Sequence, residues 1–506
     1  MTYMTQSTRL RRAWGKVALV LTLSVLAACD SLLEVELPGQ VVEAETFVPA
    51  QARLLVNSAI ADIECALSDL TAFDAAGYED NTTRTVGWWG SRFERAVSPP
   101  GGRCSTGETS VGWFSPLHAG RWMAEQVYAR LENEWTTLPD REELMGTAAI
   151  YAGLVYTTFG ELFCEVTADG GPLMTHQESL ALAEQWFTDA LTHIGNVPGG
   201  DYAIQTGVTS SAQQMAYLLR ARARFDQGED TPAKLTLAAD DAAMVTNGFT
   251  SFLTREGGGE RTRWNRVYSA HVGLGWVILL GPVDWWTGTT SNQPGFLGGG
   301  PWPAVIPFTG YWELAIDQTT GRAVSDTGHP LTLADANTVA DPRVLSVPAG
   351  VGGIGAGGGP YDYPQWEQRK YTSQADDFPL AKWEEARLIQ AQVAGGQTAI
   401  DMVNQIRTAH GLPQVTGAYV TAGEADKIQI MVLEEIRRTH YIEAGRWWST
   451  KLRYDLWFPR GEGQDRYNFG YQTGVRMVFP GGEYTTNPNL TDADRGSGCT
   501  PDQNPV

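Results

Sequence analysis

Ala216-Tyr-Leu-Leu-Arg-Ala-Arg-Ala223, running to Gly228, and Ala386-Arg-Leu-Ile-Gln-Ala-Gln-Val393, running to Gly395, spell one unit twice. Each places small alanines at helical spacing and closes on a turn glycine. A second helical stretch follows each, through Val245 in one case and from Thr398 to His410 in the other. Alanine on one face of the first helix lets the second approach closely, which is the physics of tetratricopeptide-type helix pairs. Two copies set so far apart predict a mainly α fold: a helix-pair scaffold carrying a large insertion. Working outward, apolar residues recur at helical spacing over Phe47–Ser68, Gly120–Leu131, Glu142–Phe159 and Ser179–Ile194, and Asp426 to Glu443 reads as a further helix. Trp122, Trp186 and Trp383 fall within helical periods and are assigned to the core.

Residues 251–378, between the two units, have a different composition. Gly257-Gly-Gly, Gly298-Gly-Gly-Pro301-Trp302-Pro303 and Val351-Gly-Gly-Ile-Gly-Ala-Gly-Gly-Gly-Pro360 are loop and turn signals, with large aromatics set between them. Trp88-Trp89, Trp285-Trp286, Trp302 and Tyr311-Trp312 lie in such loops rather than on periodic apolar faces. An indole stacks well on the weakly polarised C–H face of a sugar ring, whose hydroxyls then need polar partners at the rim. Asn81, Arg84, Arg92, Asp284 and Asn292 are near enough in sequence to serve. The plainer role for any one of these tryptophans is to pin a long loop to the scaffold.

The chain has 506 residues, 42% of them hydrophobic, enough to bury a core without disulfide staples. Its net charge of −21 excludes a nucleic-acid binder, since there is no basic excess to neutralise phosphates. At the N-terminus, Arg9, Arg11, Arg12 and Lys16 precede the apolar run Val17–Ala28, which is too short to span a bilayer. The run ends in Leu26-Ala27-Ala28-Cys29, which resembles the lipobox of bacterial lipoproteins and makes Cys29 the expected lipid anchor. The expected organisation is a signal peptide over 1–28, a lipidated tether over 29–46 and one domain over 47–506. Within that domain the helical scaffold covers 47–250 and 379–460, the loop-rich ligand region 251–378 and a tail 461–506. Cys65, Cys104, Cys164 and Cys499 permit three pairings, and their spacing gives no zinc site.

Four further segments carry a family resemblance. Glu434-Glu-Ile-Arg-Arg-Thr-His-Tyr-Ile-Glu443 with Ala444-Gly-Arg-Trp-Trp-Ser-Thr-Lys-Leu-Arg453 resembles the "E-x-R-x-E-L-x-F-E-G-x-R-W-x-D-L-x-R" block of the SusD/RagB outer-membrane lipoproteins. Asn404 to Pro413 is similar to that family's "N-x-v-R-x-R-A-G-L-P" segment. Lys370 to Ile389 and Pro480 to Leu490 match the stretch leading into its "E-x-x-L-I-x-A-E-A" helix and its closing "P-x-x-E-x-x-x-N-P-N-L". Ala444, Lys382 and Ser449-Thr450 depart from the usual residues. The resemblance implies a lipoprotein of the outer membrane facing the cell exterior. It would bind a nutrient, most simply an oligosaccharide, and pass it to a SusC-like TonB-dependent transporter.

The same block has a physical reading of its own. Glu434 and Arg438 stand four apart on one helix, so acid and base pair along it. Trp447 and Trp448 follow the turn at Gly445, placed to cap the core while Arg446 bridges to a carboxylate. Catalytic signals are weak throughout. The seven histidines form no H-E-x-x-H, and Gly353, Gly355 and Gly358 satisfy G-x-G-x-x-G only by chance, since Pro360 follows and no helix opens there. The expectation is therefore a binder with no catalytic residue, metal or cofactor. Two competitors remain: a surface glycoside hydrolase or lyase, and a helical-repeat adaptor that binds only protein.

Overall fold

The computed structural model describes residues 46–77, 81–84, 113–205, 207–258, 261–269, 278–282, 310–317, 322–332, 342–344, 346–351, 364–368, 370–417, 420–454, 457–459, 471–473 and 476–499. The chain divides into two units at Gln51. In the first, the described part is a 3-10 turn over Pro49–Gln51. All that follows concerns the second unit, Ala52–Val506.

Its first half is helical, with α1 (Ala52–Gly77), α2 (Phe114–Asn133), α3 (Arg141–Leu162), α4 (His176–Asn196), α5 (Ala212–Gln227) and α6 (Ala233–Ala243), each packed on the next along the chain. Short strands punctuate them: β1 (Asn81–Arg84), β2 (Glu165–Val166), β3 (Met174–Thr175) and β4 (Thr250–Leu253). Five strands follow within the loop-rich stretch: β5 (Ile278–Pro282), β6 (Gly310–Asp317), β7 (Arg322–Thr332), β8 (Ser346–Val351) and β9 (Pro364–Gln368). Then come β10 (Phe378–Lys382), α7 (Trp383–Ala394), α8 (Gly396–Ala409), α9 (Ala425–Thr439), α10 (Arg446–Arg453), β11 (Trp457–Pro459), β12 (Tyr471–Thr473) and α11 (Gly481–Thr486). Every described strand belongs to a two-stranded antiparallel pair, so helices carry the fold, as expected.

Local chemistry explains the helix limits. Thr175 caps α4 through a capping box: Glu178 N–H donates to its hydroxyl at 3.2 Å and its own N–H donates to Glu178 Oε2 at 2.8 Å. Ser211 caps α5 by accepting from Gln214 N–H at 3.1 Å. Gly395, at φ 60°, ends α7 in a conformation that a side chain would oppose.

α3 and α4 pack tightly where Gly146, Gly153 and Gly160 recur every seven residues. They receive Ile194, Phe187 and Leu180, which recur every seven in the opposite direction. A Cβ on Gly153 would lie 2.8 Å from Phe187 Cε1, and one on Gly160 would lie 2.5 Å from Leu180 Cγ. α3 is consequently buried from Leu144 to Leu162, and its terminal carbonyls at Gly160 and Glu161 accept from the buried Arg476 guanidinium at 2.9 and 2.8 Å.

Three expectations are adjusted here. The helix expected over Asp426–Glu443 stops at Thr439, and the chain turns through Ile442 at φ 54°. Trp122, assigned to the core, is 36% exposed on α2, because its neighbours on that face project to solvent. The tail expected over 461–506 is fastened to the scaffold in its described part. Cys164 and Cys499 are disulfide-bonded, Met477 bridges Phe163, and Phe479 is buried among Phe114, Phe159 and Phe163. Cys65 is also in a disulfide, with its partner outside the described residues. No described helix is long and apolar enough to cross a membrane.

Candidate functional site

The loop-rich segment enters and leaves the scaffold as neighbouring strands: β4 pairs with β10, with Leu253 opposite Phe378 and Thr250 opposite Lys382. Charge fixes this neck. Glu64 of α1, fully buried, receives Arg255 and Arg263 at 3.1 Å each and the Thr254 hydroxyl at 3.0 Å. Burial raises the Glu64 carboxyl above its ordinary value, and the two guanidiniums oppose that shift. One turn further along α1, Asp69 binds Arg266 at 2.8 Å. Asn265 donates its side-chain amide to Asp376 O at 2.8 Å and its backbone N–H to Gln374 O at 2.8 Å, joining the two limbs of the neck.

A second clamp is built from the Glu434–Arg453 block. Glu435, on α9, holds Arg343 of the loop-rich segment at 2.6 Å through one oxygen and Arg407 of α8 at 2.8 Å through the other. Glu443 takes Lys370 and Lys382 at 2.6 Å each, and His440 at 2.9 Å. Tyr371 donates its hydroxyl to Ile442 O at 2.9 Å, which stabilises the left-handed turn at that residue. Burial alone would raise the Glu443 carboxyl, but the two ammonium groups outweigh it and hold it well below the carboxylate range.

The third part lies between helices. Arg222 grips Glu385 with two hydrogen bonds of 2.8 and 2.7 Å, while Arg446 reaches Glu161 at 2.5 Å and Glu385 at 2.9 Å. Burial would raise the Glu385 carboxyl, yet Arg222 and Arg446 bring it down to about 2. Trp447 and Trp448 are buried beside it, so the block caps the core as its sequence implied, with Arg446 as the bridge. Glu434 pairs with Arg437 at 2.6 Å and with Arg438 at 3.4 Å. These carboxylates are enclosed and matched to cations, the arrangement of a packing network. Its effect is to hold the loop-rich segment on the scaffold.

The sequence-predicted ligand residues divide into two sets. Asn81 and Arg84 form the ends of β1, which pairs with β5, Asn81 opposite Pro282 and Arg84 opposite Ile278. Tyr311 and Trp312 sit in β6, opposite Leu331 and Pro330 of β7, in a hairpin rather than the expected open loop; β6 lies beside α9. Trp88, Trp89, Arg92, Asp284, Trp285, Trp286, Asn292 and Trp302 lie outside the described residues, as does Cys29. Arg255, Arg263, Arg266 and Arg343, which hold the segment in place, went unread in the sequence. A signal did exist, since Glu64 and Asp69 interrupt an apolar helix and required cationic partners.

The chain can now be compared with known structures. A SusD-like carbohydrate binding protein from Bacteroides vulgatus superposes with a TM-score of 0.51 at 14% identity, covering 88% of this chain and 95% of its own. The fold is SusD-like. NanU of Bacteroides fragilis matches at a TM-score of 0.53 and 14% identity over 90% of this chain and 98% of its own. A SusD homolog from Bacteroides uniformis gives 0.54 at 11% identity over 89% and 98%. No protein-family model and no curated protein matches the sequence. The SusD-like fold thus extends over nearly the whole chain at very low identity. A helix-pair scaffold can be kept by packing rules while surface residues diverge.

Proposed function

We propose that this chain is a cell-surface lipoprotein, anchored through Cys29, that binds an oligosaccharide and passes it to a SusC-like TonB-dependent transporter in the outer membrane. The observation that supports the reading is a SusD-like fold with a doubly clamped neck at the base of the segment 251–378, whose sequence contains Trp285, Trp286, Trp302, Tyr311 and Trp312. Aromatic rings on a rigid mount can bind a sugar with little loss of loop entropy, and Asn81, Arg84, Arg92, Asp284 and Asn292 would satisfy hydroxyls at the edge. Trp88 and Trp89 would complete the platform. In this reading no bond of the ligand is broken, and the energy for transport comes from the partner.

Affinity electrophoresis of the mature protein in gels containing soluble polysaccharides tests the binding step. Wild-type protein is retarded by at least one glycan, and Trp88→Ala, Trp285→Ala and Trp302→Ala each restore mobility. Unchanged retardation in all three variants would remove the aromatic platform. Protease shaving of whole cells tests placement: surface exposure predicts loss of the protein from intact cells.

A further inference from the structure

Away from the loop-rich segment, an open pocket of about 760 Å³ lies where the two repeated helix units meet. It is bounded by the turn after α6, the start of α7 and the outer face of α8. Asp401, Asn404, Gln405 and Thr408 recur along α8 at helical spacing, Asn247 and Gln414 also line the pocket, and Trp383, only 7% exposed, borders it. The volume is within the ~300–1,000 Å³ range of small-ligand sites.

The polar groups are positioned unequally. Asn404 is committed to the scaffold, since it donates to Val415 O at 3.0 Å and accepts from Val415 N–H at 2.7 Å. Asn247 is oriented by Arg387, whose Nε donates to its carbonyl at 2.9 Å, leaving the amide nitrogen a long 3.3 Å contact with Gln405 Oε1. Gln405 Nε2 has Met402 Sδ at 3.6 Å, a poor acceptor. The Asn247 and Gln405 amide nitrogens, each with a weak partner, thus line a pocket that also borders an indole. Asp401, the only ionisable residue among the described residues that line it, already accepts from Gln397 Nε2 at 2.8 Å.

From this geometry we infer that the pocket is a second saccharide-binding site, selective for neutral sugars. Carboxamides both donate and accept, as sugar hydroxyls do; the exposed Thr408 hydroxyl accepts from Gln414 Nε2 at 3.0 Å and keeps its proton to donate, and the buried Trp383 contributes only an apolar edge to the pocket wall. An anionic ligand would meet Asp401, and the nearby Arg387 guanidinium is already bonded to Asn247, Gln390 and the Val245 carbonyl. The ligand class is shared with the function proposed above, but the residues are different, so the two stand or fall separately.

The test uses the mature chain with maltohexaose, laminarihexaose, cellohexaose and mannohexaose, by calorimetric titration and by crystal soaks. Gln405→Ala/Thr408→Ala alters exposed and half-exposed side chains, and Trp383→Phe keeps a ring. At least one hexaose should occupy the pocket against Trp383. The double variant should weaken that event at least tenfold with an unchanged Tm, and Trp383→Phe should weaken it less. Trp302→Ala should leave it intact. Hexaose binding that depends on Trp285 and Trp302 and ignores the double variant overturns this site while the main reading stands. Binding lost only in the double variant does the reverse. A pocket left empty by all four sugars, or one needed only to retain a protein partner, also overturns the inference.

Discussion

The helical scaffold and the loop-rich segment are held by different forces. In the scaffold, helices meet over apolar faces, packed tightly where the Gly146, Gly153 and Gly160 row admits Ile194, Phe187 and Leu180. The loop-rich segment, in its described parts, forms two-stranded antiparallel pairs, and a lone hairpin is marginal in water. Its position comes instead from charged residues seated in the scaffold: Glu64 and Asp69 on α1, Glu435 on α9 and Glu443 beyond it. Separating the two forces lets the loop-rich segment vary in sequence without altering the frame beneath it.

Breaking the clamp should have the largest consequence. Glu435→Gln leaves Arg343 and Arg407 buried beside a neutral amide, and loss of one partner from such a pair costs about 3–5 kcal/mol. Urea unfolding should show that loss, and limited proteolysis should show cleavage within 251–378 before the scaffold is cut. If cleavage were instead spread evenly, the clamp would not be what positions the segment.

Filling the glycine row should come next. Gly153→Ala forces a methyl against Phe187, an overpacking cost of about 1–3 kcal/mol. Here denaturation should shift while the proteolysis pattern of 251–378 stays native, the opposite signature to Glu435→Gln. Ordinary thermal scans with and without protease separate the two.

Acid should weaken the clamps before the apolar core. Glu385 titrates at about 2 when folded, against about 4.5 when unfolded, and Glu443 is displaced in the same direction. A lowered folded pKa gives stability that is complete above the unfolded value and lost as pH falls through the folded one. Tm should therefore decline between about pH 4.5 and 2. Glu385→Gln, though less stable at pH 7, should decline less steeply over that window. A smaller effect is expected at the edge of the scaffold, where Thr175→Ala removes a capping box and costs about 1 kcal/mol by denaturant midpoint.

How much of this was legible depended on the range of the interaction. Periodicity is local, so the helix units around Ala216 and Ala386 stood out, with ends a few residues adrift where capping decides them. The Glu434–Arg453 block announced its ion pairs, because Glu434 and Arg438 are one turn apart. Arg343 to Glu435 and Arg255 to Glu64 join residues distant in sequence, and no spacing rule connects them. The strands of 251–378 were hidden for another reason: glycine and proline counts read as loop, although glycine also serves in short, bent pairs such as β8–β9. For the ligand site, Asn81, Arg84, Tyr311 and Trp312 fall in described strands, while the remaining candidates lie outside the described residues. The pocket beside Trp383 combines three elements, and a tryptophan in a helical period gave no hint of it.

Binding without chemistry is the claim on which the functional account rests, and one experiment addresses it directly. The mature protein is incubated with a retained glycan, the complex is isolated, and the released sugar is analysed by chain length. The account predicts stoichiometric capture and recovery of the glycan at its original length, with capture reduced in Trp285→Ala and Trp302→Ala. Recovery of shortened or unsaturated products, or capture of none of the glycans offered, would contradict it.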